Sequence, residues 1–365
     1  MPDYNPDPQI AVLDAGTPAL GICHGLLVIA LVSAMLSAGY LHAQPAVSNR
    51  IASIIPIEHR GTVPYVFRML DLSRGWGFGD HSSLVLTSDG GISWRKADLG
   101  QVGPAWGITS DGGAWSIVNT FGTSPSARLW RVDPAGKGSP VATPCDASPM
   151  DSVAYAVFDP TGNNGVVFGV VHLKGPTSRL LAFQSHDGGR EWSPFTVPVP
   201  DIHPSGFQAA MSDSGEVLLT TGCGFYVTAD WGRTWRKSDP AQLPAEMCGD
   251  TFPYTTRFVA GGRAWLRTYD GVVLYSDDSG VSWAVSSLEV KDRSYPYSLR
   301  EWVSFADPEH GLMIVSGRVF ATRDRGQHWA ALTSPVERFG AVSCAAGRCL
   351  LGSDAGGLFE VRFAN

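Results

Sequence analysis

The sequence predicts an all-β protein: a single β-propeller, with seven four-stranded blades as the expected count and six as the alternative. Three observations lead there. An eight-residue loop motif recurs, its copies are almost evenly spaced, and the composition suits short strands joined by tight turns. The 365 residues include 42 Gly, 25 Pro and 12 Trp, and only 17% are charged, below the roughly 25% of typical soluble domains. Gly and Pro supply turn dihedrals, so this profile argues against a helical bundle.

The motif has the form Ser/Thr-x-Asp-x-Gly-x-x-Trp. It occurs as TSDGGISW at Thr87–Trp94, SHDGGREW at Ser185–Trp192, TADWGRTW at Thr228–Trp235, SDDSGVSW at Ser276–Trp283 and TRDRGQHW at Thr322–Trp329. Successive Trp residues lie 98, 43, 48 and 46 positions apart. The first interval is double the others, which places a degenerate copy at Asp133–Gly136. Each copy suits a hairpin loop. Asp89, Asp187, Asp230, Asp278 and Asp324 can accept N–H bonds within their own turns. Gly91, Gly189, Gly232, Gly280 and Gly326 permit positive φ. Trp94, Trp192, Trp235, Trp283 and Trp329 can bury a large ring against the blade. One carboxylate per loop is too few for a calcium site, so these residues are expected to be structural, with no metal or cofactor.

Short apolar runs precede the boxes, as at Leu84–Leu86 and Phe225–Val227, and Gly-led strands lie further upstream, as at Gly75–Gly79 and Gly311–Val315. Four strands in 43–49 residues is the spacing of a propeller blade. The expected blades are 65–100, 104–143, 152–197, 205–238, 254–288 and 300–333. The stretch 339–363 lacks a box, and residues 48–58 are expected to complete it by pairing the chain ends, which removes exposed sheet edges.

Residues 1–43 are expected to be a signal peptide or membrane anchor, and 44–365 the propeller. The run from Ala19 to Leu41 carries no Asp, Glu, Lys or Arg. It precedes a small-residue cleavage zone ending at Ala43, yet it is long enough to span a bilayer. Asp3, Asp7 and Asp14 precede it and no Lys or Arg does, contrary to the usual charge pattern of either element. The expected location is periplasmic or extracellular. Cys344 and Cys349 flank a short turn and are disulfide candidates. Cys223 and Cys248 are a second candidate pair, and Cys145 is left over. The net charge of −7, without Lys/Arg runs, excludes a nucleic-acid binder.

Such loops are known as Asp-boxes, shared by sialidases, sortilin-type receptors, some glycoside hydrolases and photosystem II assembly and stability factors. The unit GWGFG at Gly75–Gly79 followed by Thr87–Trp94 closely resembles the assembly-factor repeat, and the resemblance runs over residues 50–363. It implies an exported or lumenal seven-bladed propeller that binds a protein partner, such as a membrane complex. The competing class is an enzyme. Phe67–Leu70 loosely resembles the sialidase aromatic-Arg-Ile-Pro motif but lacks Ile-Pro. Arg257, Arg300 and Arg338 could form an Arg set, with Tyr295, Tyr297 and Glu301 near it in sequence. HExxH, GxSxG and P-loop motifs are absent, so binding is the expected role, with a glycan as the other ligand class. The sequence leaves the oligomeric state open. Arg68, Trp106, Gln208, Arg257, Arg300 and Arg338 fall near the starts of expected inner strands. They are the candidate partner-binding residues, on the face opposite the boxes.

Overall fold

The computed structural model describes residues 51–79, 83–99, 106–120, 126–141, 152–158, 163–172, 178–197, 201–202, 207–212, 214–221, 224–238, 255–259, 263–267, 272–289 and 302–364. The expected leader, together with Cys23, Cys145, Cys223, Cys248, Tyr295, Tyr297, Arg300 and Glu301, lies outside them. Among the described residues there are strands and turns but no helix.

The strands form seven antiparallel sheets. Strand β1 (Ala52–Ile57) belongs to the last of them. Blade 1 is β2 (Val66–Met69), β3 (Gly75–Gly79), β4 (Ser83–Thr87) and β5 (Arg95–Lys96). Blade 2 is β6 (Trp106–Ile108), β7 (Ala114–Thr120), β8 (Ser126–Val132) and β9 (Gly138–Pro140). Blade 3 is β10 (Ser152–Phe158), β11 (Gly165–His172), β12 (Ser178–Ser185) and β13 (Ser193–Phe195), with a fifth strand β14 (Asp201–Ile202) also paired to β12. Blade 4 is β15 (Phe207–Met211), β16 (Val217–Thr221), β17 (Gly224–Thr228) and β18 (Arg236–Ser238). Blade 5 is β19 (Thr255–Val259), β20 (Arg263–Arg267), β21 (Val272–Ser276) and β22 (Ala284–Glu289). Blade 6 is β23 (Val303–Phe305), β24 (Gly311–Val315), β25 (Arg318–Thr322) and β26 (Ala330–Ala331). Blade 7 is β27 (Phe339–Ala345), β28 (Arg348–Ser353) and β29 (Leu358–Phe363), with β1 as its outer strand.

The closing strand pairs over its whole length, from Ala52 against Phe363 to Ile57 against Leu358. This explains why blade 7 has no box. The box joins third and fourth strands, and in blade 7 those strands are the two chain ends.

The core lies between blades. Among the described residues seven buried apolar clusters occur, one at each seam. Phe67 and Met69 of blade 1 meet Ala341, Leu350 and Leu358 of blade 7, so the ring is closed by packing as well as by β1. Second strands read as unbroken apolar runs because both of their faces are covered. In β16, Val217 and Leu219 pack toward blade 3 while Leu218 packs toward blade 5. In β24, Leu312 and Ile314 face blade 7 while Met313 and Val315 face blade 5.

Successive first strands also lie side by side: β27 against β2, β23 against β27, β15 against β19 and β10 against β15. They are therefore the innermost strands of the ring. Antiparallel order then puts the turn between first and second strands on the same face as the box. Hydrogen bonds join them there: Gly90 N–H to Ser73 O at 2.8 Å, Gly188 N–H to Asn163 O at 2.8 Å, and Arg325 N–H to Glu309 O at 3.1 Å.

Candidate functional site

All five boxes share one hydrogen-bond plan. The opening hydroxyl (Thr87, Ser185, Thr228, Ser276 or Thr322) is buried. It donates to the Asp two residues on at 2.8 Å in every copy. It also accepts the N–H of the box Gly, at 2.7 Å in the closest case, Gly280. The Asp carboxylate in turn accepts the N–H four residues on, as from Thr234 to Asp230 at 2.8 Å. The eroded copy in blade 2 keeps that last bond, Lys137 N–H to Asp133 at 2.8 Å. It has lost the hydroxyl, because Arg131 stands in its place.

These donors set the protonation of the boxes. The hydroxyl and N–H of Thr234, with Thr228 O–H and nearby Arg233, hold the Asp230 carboxyl down at about 2. Burial pushes Asp278 up, but Ser282 and Ser276 donors outweigh it and leave it below the usual carboxylate range. Asp89 and Asp324 behave in the same way. The boxes are thus ionised loop anchors with their acceptor capacity spent internally.

The box Trp rings wedge into the seams. Trp94, Trp192 and Trp283 donate indole N–H to their own box Gly carbonyls at 3.0, 3.0 and 3.1 Å. Trp235 donates instead to Thr196 O of blade 3 at 2.9 Å. Trp329 packs edge-on against Trp265 of blade 5, with ring centroids 5.6 Å apart. Gly326 is obligatory there, since its φ is +82° and a Cβ would lie 2.5 Å from Trp265.

Arginine clasps, which sequence reasoning missed, cross four seams on the box face. Arg74 of blade 1 donates to Asp111 O of blade 2 at 3.5 Å. Arg263 of blade 5 donates to Arg325 O and Pro308 O of blade 6 at 2.9 and 3.4 Å, with Asp277 at 2.6 Å behind it. Arg323 of blade 6 grips Ile51 O at 2.9 Å and also Ala364 O, the backbone on either side of the chain closure. Arg348 of blade 7 donates to Leu72 O of blade 1 at 3.4 Å. Their acceptors are backbone carbonyls in another blade, so no sequence pattern announces them. Beside Arg348, Cys344 and Cys349 face each other across the β27–β28 hairpin and are joined by a disulfide, with Cα atoms 4.0 Å apart.

The candidate partner-binding residues lie on or beside first strands. Trp106 begins β6, Gln208 is second in β15, Arg257 is third in β19, and Arg338 immediately precedes β27. They therefore belong to four different blades. Arg338 stands 3.8 Å from Asp354. Arg68, third of four residues in β2, sits at the same level as Arg257 and Trp106. Across each blade these pair through Trp76 to Leu86, through Trp265 to Tyr275 and through Ser116 to Trp130, one residue before the box or its eroded copy. These three therefore lie toward the box end of their strands, contrary to the expectation, whereas Gln208, which pairs through Thr220 to Phe225, lies two residues further from the box. Met69 N–H donates to Ser343 Oγ at 2.8 Å, which fixes the level of β2 against β27. Arg68 is one residue before Met69 and Arg338 five before Ser343, so the two Arg sit about 13 Å apart along the strands. Among the described residues no group of His, Cys, Asp and Glu is placed to hold a metal ion.

Solved structures share this architecture. YCF48 bound to a D1 peptide superposes with a TM-score of 0.56 at 16% identity, covering 87% of this chain and 96% of that one. YCF48 from Cyanidioschyzon merolae gives 0.51 at 15% identity, covering 85% and 98%. A catalytically inactive virginiamycin B lyase from Staphylococcus aureus with quinupristin gives 0.56 at 11% identity, covering 85% and 98%. At these identities the likeness is one of fold, and the fold carries a peptide-bound protein and a lyase alike. No protein-family description matches the chain, and no curated protein matches it.

Proposed function

We propose that this chain is exported and acts as a binding scaffold. It would hold a polar or anionic segment of a protein partner along the ring of innermost strands, as an assembly or stability factor for a membrane complex. The observation that carries this reading is the placement of Trp106, Gln208, Arg257 and Arg338 on or just before the innermost strands of four blades. Guanidinium, amide and indole groups around one ring offer charge-assisted and planar contacts to a peptide. YCF48, a structural neighbour, is bound to a D1 peptide, which supports the class of ligand. The apolar run from Ala19 to Leu41 supports export.

Two experiments test the reading. The full chain, tagged at its C-terminus, is used to capture partners from host membranes, with Arg257→Ala and Arg338→Ala alongside, and each protein is assayed with a fluorogenic sialoside. Recovery of a membrane protein that both substitutions abolish, without turnover, is expected. Turnover lost on Arg257→Ala would replace the scaffold with a glycosidase. Mass spectrometry of the native protein should find an N-terminus near Gln44. An intact N-terminus in a cytosolic fraction would defeat export.

A further inference from the structure

We propose that Trp231, His186 and Asn164 form a carbohydrate platform on the box face, at the seam of blades 3 and 4, that takes a neutral sugar residue. This site is separate from the inner ring and does not depend on the function proposed for it.

The residue after the box Asp is left-handed in all five boxes: φ is 76° at Gly90, 76° at Gly188, 60° at Trp231, 58° at Ser279 and 66° at Arg325. Glycine adopts this conformation freely, whereas a bulky aromatic there is an outlier. Ser279 uses its side chain to cross a seam, donating to Glu216 of blade 4 at 3.2 Å. At Arg325 it is the backbone that is engaged, its N–H by Glu309 O and its carbonyl by Arg263. Trp231 makes no such bond, and among the described residues its indole N–H has no acceptor.

The half-buried Trp231 ring lies over Gly215, where a Cβ would stand 3.0 Å from it. It also packs against the buried apolar cluster of blades 3 and 4 and meets the His186 ring of blade 3 edge-on, with centroids 5.2 Å apart and planes at 84°. His186 is exposed, and its Nδ1 lies 3.0 Å from Asn164 Oδ1. With Nδ1 donating to Asn164 Oδ1, Nε2 is left as the ring's acceptor. The seam therefore presents an aromatic surface, an N–H donor and a nitrogen acceptor side by side. A pyranose has a C–H face for the indole and hydroxyls that both donate and accept, and so complements all three. An unbroken run of prolines could use the ring but carries no internal N–H to donate to Nε2.

The test uses the full chain, ¹⁵N-labelled, with the Trp231 indole resonance assigned by its loss in Trp231→Gly. Chitotriose, maltotriose, cellotriose and decaproline are titrated separately. At least one trisaccharide should shift that resonance with a Kd of about 1 mM, as suits a site of few contacts. His186→Ala should weaken binding by about threefold or more. Trp231→Gly should abolish it while keeping Tm within about 2 °C, because glycine relieves the left-handed backbone. No shift with any sugar, or a shift with decaproline alone, would overturn the proposal. So would a fall in Tm of more than about 5 °C in Trp231→Gly, since the ring would then be a packing plug for Gly215.

Discussion

Thr322→Val tests the physical basis of the boxes most directly. Valine nearly matches threonine in volume, so the pocket, which leaves Thr322 only 1% exposed, stays filled. What disappears is the hydroxyl, which accepts Gly326 N–H at 2.8 Å and donates to Asp324 at 2.8 Å. Gly326 is buried, so its N–H loses its partner without access to water, at a cost of about 1–3 kcal/mol. Asp324 loses less, because His328 N–H still reaches it at 2.9 Å. A net loss of about 2 kcal/mol is expected. For a domain of this size that lowers Tm by roughly 3 °C, measured by calorimetry or circular dichroism at pH 7. Thr322→Ser keeps the hydroxyl and should lose less than about 1 kcal/mol. Equal melting of the Val and Ser variants would refute the claim that the hydroxyl anchors the box.

Three further outcomes follow from the same geometry. Asp278→Ala should destabilise the protein by about 1 kcal/mol, since the exposed loop can recruit water, and should leave partner capture by the folded fraction unchanged; wild-type melting with lost capture would make the box part of the binding surface. The box carboxyls titrate below their unfolded values, so their contribution is present above about pH 4 and is lost as pH falls through their folded pKa values. With Asp230 at about 2, denaturant midpoints should therefore drop between about pH 4 and 2, and a flat profile there would contradict the assignment. Deleting residues 44–58 removes β1 and leaves the β29 edge unpaired, so the chain should aggregate or lose cooperative melting; a monomer with unchanged Tm would show that seam packing alone closes the ring.

The sequence by itself determined the repeat and the blade boundaries. Five of the seven blades repeat a local program: an apolar second strand, a hydroxyl–Asp–Gly loop and a Trp, all close along the chain. It also foretold the pairing of residues 48–58, because a final unit with no box left one strand to be supplied. The Cys344–Cys349 pairing was legible for the same local reason, two residues flanking a tight turn. Only the tertiary structure decided what happens between blades. Arg68, Trp106 and Arg257 read like strand-start residues, but the pairing register puts all three one residue from the box level. Arg74, Arg263, Arg323 and Arg348 read as ordinary surface charges until ring closure brings each a carbonyl from the neighbouring blade. Trp231 differs from Gly90 and Gly188 in the sequence, yet its meeting with His186 depends on the angle at which blade 4 packs on blade 3. Hydrogen bonds inside a turn are set by residues a few positions apart, whereas a seam is set by how two twisted sheets bury their faces against each other.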